Sequence, residues 1–172
     1  MHAASGIKQI GLAILAAPLL IGAAAPARDT LILGAHNRER ASIDLPAMHW
    51  DAALTVEAQK WADHMAATGQ FEHYEEVSTD PDAQGENLWM GTKGAFGVET
   101  MVSHWIEEKK DFVPGVFPQN SRTGDMEDVG HYTQIVWRAT GRVGCAIAED
   151  GEDEFLVCRY AEGGNVIGER PF

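Results

Sequence analysis

The run Gly130-His131-Tyr132-Thr133-Gln134-Ile135-Val136-Trp137 sets a titratable imidazole at the head of an apolar, β-branched stretch. That pattern predicts a buried strand over Tyr132–Trp137 with His131 at its entrance. An imidazole there can carry protons near neutral pH or ligate a metal, although a lone histidine at a strand entrance is more often structural than catalytic. Cys145 and Cys158 flank the turn dipeptide Asp150-Gly151, with Val143, Cys145 and Ile147 alternating before it and Phe155 and Val157 after it. The reading is one hairpin closed by a cross-strand disulfide, which suits an oxidising compartment. Other chemistries lack their motifs. No His-Glu-x-x-His occurs, and no Gly-x-Ser-x-Gly elbow surrounds Ser78, Ser103 or Ser121. The acidic run from Glu149 to Glu154 does not match an EF-hand loop.

The elements that must position these groups follow from periodicity. A helix is expected from Asp29 to about Ser42, ended before Pro46. Asp51 caps a second helix on which Leu54, Ala58, Trp61 and Met65 share one face, and Gly69 stops it. A third helix runs from about Gly97 to Lys109, with Val98, Met101, Val102, Trp105 and Ile106 inward. Residues 112–128 are irregular, and three strands follow at Tyr132–Trp137, Arg142–Ala148 and Glu154–Tyr160. Helices first and strands last make this an α+β chain rather than a βαβ winding. His64 and His104 are expected on solvent-facing helix positions, His36 in a structural hydrogen bond, and Trp61, Trp105 and Trp137 in the core.

Of 172 residues, 45% are hydrophobic, enough for one packed domain, expected at residues 29–172. Lys8, the apolar stretch from Ile10 to about Ala24 and the small residues Ala23-Ala24-Ala25 read as a cleaved export signal over residues 1–25. No later run suits a bilayer span, so no stable membrane span is expected after cleavage, and the chain is placed as secreted or periplasmic. A formal charge of −13 repels phosphate, which argues against nucleic-acid partners.

Several separated motifs resemble one family. They are His36-Asn37-x-x-Arg40, Leu45-Pro46-Ala47-Met48-x-Trp50, Gly85-Glu86-Asn87-Leu88, Trp105-x-x-Glu108, Gly130 through Thr140, and Cys158-Arg159-Tyr160 followed by Gly164-Asn165. Their order and spacing are similar to those of the CAP superfamily, which comprises cysteine-rich secretory proteins, antigen five and pathogenesis-related type-one proteins. Glu162 departs from the second signature of that family. The chain stops soon after that signature, so the channel activity tied to a cysteine-rich tail is not expected.

The resemblance implies a three-layer α-β-α sandwich around a mostly antiparallel sheet. It also implies a cleft lined by His73, Glu86, Glu108 and His131, a grouping that periodicity alone does not make. Two neutral imidazoles suit Zn²⁺ or another divalent cation, with Glu86 and Glu108 orienting the rings. Two ligands imply weak, reversible binding that is lost as the rings protonate. The functional expectation is a secreted, non-enzymatic binder of a lipid, sterol or other small ligand, with Leu88, Trp89, Met90 and Phe96 contributing apolar surface. One alternative is a protease-like hydrolase that uses the same four side chains. The other is an extracellular scaffold that recognises a protein partner.

Overall fold

The computed structural model of the protein describes residues 27–75 and 83–172. The expected leader at 1–25, Ser78 and most of the acidic loop lie outside the described residues. Among the described residues, no helix is long and apolar enough to cross a membrane.

Helix α1 (Arg28–Ser42) turns Ile32, Ala35, His36 and Arg40 inward, a three- and four-residue spacing that defines one face. Asn37 fastens the following connector to this helix. Its side chain donates to Met48 O at 3.0 Å and accepts from Met48 N at 2.8 Å. A two-residue strand, β1 (His49–Trp50), leads into α2 (Ala52–Thr68). Asp51 caps α2 as expected, accepting from Ala53 N and Leu54 N, and Gly69 ends it in the left-handed conformation. The inward face is Leu54, Ala58, Ala62 and Met65. Trp61 lies on the flank, half-buried, rather than in the core.

The sheet is completed by β2 (Gly85–Thr92), β3 (Arg142–Glu149) and β4 (Asp153–Ala161), in the order β1-β3-β4-β2. Among the described residues, only the short β1–β3 pairing is parallel. The last two expected strands are present, and Cys145 faces Cys158 across the hairpin in a disulfide with Cα atoms 4.1 Å apart. Strand β2, which the sequence pattern does not predict, forms the edge of the sheet next to β4. Side chains alternate between two cores. Leu88, Ala146, Phe155 and Val157 pack under α2. Trp89, Val143, Cys145, Leu156, Cys158 and Tyr160 pack on the other face, against α1 and α3 (Val98–Glu107). This is the three-layer α+β sandwich expected. The contact of α2 with the sheet is close enough to require glycine at 144, where a Cβ would lie 2.4 Å from Thr55 N.

One expectation is overturned. Residues Gly130–Ile135 form a helix, α4, and not a strand. Tyr, Thr, Ile, Val and Trp favour a strand locally, and a six-residue helix does not hold itself together in water. Tertiary contacts at both ends decide the outcome. At the N-terminus, Glu108 Oε2 accepts from His131 N at 2.9 Å and Tyr132 N at 3.0 Å. At the C-terminal end, the fully buried Arg40 guanidinium donates to Ile135 O, Trp137 O and Thr140 O at 2.9, 2.8 and 3.1 Å. A carboxylate on the free amides and a cation on the free carbonyls complement the helix dipole at both poles. His131 therefore sits in the first turn of a clamped helix.

Candidate functional site

Glu108 opens a short 3₁₀ turn, Glu108–Lys110, that continues from α3. Its Oε2 caps α4, and its Oε1 meets His131 Nδ1 at 2.5 Å. The His131 ring is further fixed by near-parallel stacking on Trp105, with centroids 5.9 Å apart and planes inclined by 14°. Trp105 is itself anchored, donating its indole N–H to Leu88 O at 3.0 Å.

Glu86 lies on edge strand β2, in register with Arg159 of β4. Its Oε1 accepts from Tyr74 N at 3.0 Å and meets His73 Nδ1 at 2.7 Å. Its Oε2 is ion-paired with Arg159 Nη2 at 2.9 Å. The Tyr74 ring lies over the Arg159 guanidinium, 4.7 Å from centroid to Cζ. The segment carrying His73 is tied back to α2, because Trp61 Nε1 donates to Glu72 O at 2.9 Å and packs edge-on against Tyr74.

Glu86 projects to the α2 side of β2, and Asn87 to the other. Asn87 Nδ2 donates to His131 O at 3.1 Å and to the Tyr160 hydroxyl at 3.2 Å. The hydroxyl then meets His36 Nε2 at 2.8 Å, and His36 Nδ1 donates to Ile32 O at 2.9 Å. A carbonyl can only accept, so Nδ1 carries the proton and Tyr160 donates to Nε2. Burial pushes the His36 pKa down to about 4 and the Tyr160 hydroxyl well up, so both are neutral at pH 7. His36 is thus structural, as expected, and it ties α1 to the backbone beneath His131.

His73, Glu86 and His131 line one cleft of about 740 Å³, and Glu108 stands behind His131 as its hydrogen-bond partner. Four sequence segments are brought together around the β2 edge. The His73 side chain is 63% exposed and that of His131 31%, whereas Glu86 is only 8% exposed. In each pair a carboxylate holds Nδ1. An ionised carboxylate only accepts, so a neutral ring carries its proton on Nδ1 and keeps the Nε2 lone pair free. Neither Nε2 has a hydrogen-bond partner among the described residues.

The remaining candidates lie elsewhere. His64 is exposed and stacked on Trp61. His104 is half-buried rather than solvent-facing, and its Nδ1 accepts the Trp89 indole N–H at 2.9 Å. Trp89 is core, and it packs edge-on against Phe96. Of the four apolar residues expected to share a groove, only Leu88 lines the cleft. Its apolar rim comes instead from Phe71, Tyr74, Met126 and Ile167. Ser103 donates to Thr100 O and Ser121 pairs with Thr123, and no serine, threonine or cysteine lines the cleft among the described residues.

Arg159 is the site residue that sequence reasoning missed. Its signal was present, because Phe155, Val157 and Arg159 alternate on one buried face, and an arginine at such a position needs a carboxylate partner.

Residues 33–160 match the family model of the cysteine-rich secretory protein family, CAP. The chain is 36% identical over 138 residues to pathogenesis-related protein PR-1 of Medicago truncatula, covering 79% of this chain and 74% of that protein. It is 35% identical over 148 residues to cysteine-rich secretory protein 2 of Homo sapiens, covering 81% and 58%. Among solved structures, NaASP2 with Zn²⁺ superposes with a TM-score of 0.66 at 24% identity, covering 85% of this chain and 84% of that one. Motifs, sandwich topology and family match agree, and the chain belongs to the CAP family of cysteine-rich secretory proteins.

Proposed function

We propose that this chain is an exported binding protein whose cleft takes up a divalent cation, Zn²⁺ foremost, through Nε2 of His73 and His131. The observation that carries this reading is the matching environment of the two rings: each Nδ1 rests on a carboxylate and neither Nε2 has a partner among the described residues. A carboxylate on the far nitrogen raises the basicity of the ligating one and fixes the ring's tautomer. Among the described residues, no group of three or more His, Cys, Asp or Glu side chains is arranged to hold a metal ion. Binding is therefore weak and reversible, with solvent or an anionic ligand completing the coordination. NaASP2, whose structure contains Zn²⁺, shares the fold and is compatible with this reading. Export is supported by the basic-then-apolar leader of the sequence and by the Cys145–Cys158 disulfide.

Calorimetric titration of Zn²⁺ at pH 7.5 tests the reading. The wild-type protein is expected to bind one ion. The His73→Ala/His131→Ala double variant is expected to give no heat above dilution while melting within a few degrees of wild type. Equal binding by both proteins would remove the cleft as the site.

A further inference from the structure

The two halves of the cleft carry different charge. On the α4 side, Glu108 is met by His131 and by two backbone amides, which bring only partial positive charge. The His131–Glu108 half therefore retains close to one full negative charge. On the β2 side, Glu86 is met by His73 and by a full guanidinium, that of Arg159. The Glu86–Arg159 pair is thus close to neutral, while Glu72 beside His73 and Glu127 beside α4 each add one carboxylate to the lining. Arg159 is only 5% exposed, and Tyr74 covers its guanidinium, so water and salt screen this charge poorly.

Resting on the cation-binding reading above, we propose that Arg159 is a positioning residue that sets the strength of the site. It holds Glu86 in place for His73, and its charge lowers the attraction of that half for a cation. His131 is then the anchoring ligand and His73 the releasable one. Their surroundings match these roles: His131 is stacked on Trp105 and set in a clamped helix, whereas His73 lies on an exposed segment.

The sign of one substitution separates this role from a merely structural one. Arg159→Gln keeps a polar side chain facing Glu86 Oε2 and removes the charge of the ion pair. If Arg159 only supported Glu86, this change would weaken Zn²⁺ binding. If its charge restrains the site, removal tightens binding by at least about tenfold; one unit charge acting on a divalent ion from about 10 Å at an effective dielectric constant of about 20 sets an upper bound of a few hundredfold. Arg159→Lys keeps the charge and is expected to bind Zn²⁺ as wild type does. In the wild-type background, His131→Ala is expected to lower affinity more than His73→Ala, and Arg159→Gln narrows that gap. Titration of Zn²⁺ into these five proteins and into the two His→Ala variants in the Arg159→Gln background, each checked for cooperative thermal unfolding, reads these outcomes. Tighter binding by Arg159→Gln alone supports the proposal. Unchanged or weaker binding overturns it while leaving the cation site standing. Should Arg159→Gln not unfold cooperatively, Arg159→Lys and the two His→Ala variants decide: wild-type affinity in the first with the larger loss at His131 supports the proposal, and any other pattern overturns it. Absence of Zn²⁺ binding by every protein overturns the cation reading and the proposal with it.

Discussion

Arg40→Met is expected to lower the unfolding free energy by about 4 kcal/mol, read from urea denaturation at pH 7. The guanidinium is fully buried and donates to four carbonyls, those of Pro46, Ile135, Trp137 and Thr140. No carboxylate pairs with it among the described residues. Burial, and then the charge of Arg138, pull its pKa down to about 10, and it remains a cation at pH 7. Methionine fills the space and leaves those acceptors without partners, each worth roughly 1–3 kcal/mol when buried. Arg40→Lys keeps the charge but has one nitrogen in place of a planar fork, so it is expected to recover only part of the loss. Arg40→Met also releases the C-terminal clamp on α4 and is expected to weaken Zn²⁺ binding through His131. A stability within about 1 kcal/mol of wild type for Arg40→Met would show that α4 does not depend on this residue.

The second large effect is acid destabilisation through His36. Its folded pKa is pushed down to about 4 from the ordinary 6.5, chiefly because burial disfavours the charged ring. The unfolded chain therefore binds more protons than the folded one between these values, and stability rises with pH there. The neutral ring's contribution is fully present above pH 6.5 and is withdrawn as pH falls towards 4. The total is about 3 kcal/mol, at 1.36 kcal/mol for each unit of pKa difference. Protonation also turns Nε2 into a donor facing a Tyr160 hydroxyl that already donates to it, and adds a charge beside Arg40. His36→Gln removes the titration, so its stability should fall less steeply over the same window. Unfolding free energies from pH 7 to pH 4 decide this. Parallel curves for the two proteins would mean that carboxylates, and not His36, govern the acid response.

Much of the architecture was legible. Helix α2 announced itself by the Asp51 cap, the apolar stripe and Gly69, all local features. The β3–β4 hairpin was equally local, a turn dipeptide between alternating strands. Helix α4 was not legible, because its helical state depends on Glu108, 23 residues away, and Arg40, nearly 100 residues away, outweighing β-favouring side chains. Strand β2 hid for a related reason. As an edge strand with Gly at both ends of a short apolar centre, its pairing with β4 shows only in three dimensions. The His73, Glu86, Glu108 and His131 set was reached only through resemblance, since four separate segments converge on the β2 edge. Arg159 was legible in principle, as a charge on an apolar alternation, and became meaningful once Glu86 was seen in register beside it.

Imidazole ¹⁵N chemical shifts during Zn²⁺ addition test the central claim most directly. Without metal, His73 and His131 should both appear as Nδ1–H tautomers, the form their glutamate partners select. With Zn²⁺, the Nε2 resonances of both rings should move to metal-bound values while the Nδ1 protons stay in place. Movement at other histidines alone, or ligation through Nδ1 with loss of the glutamate contacts, would contradict the account.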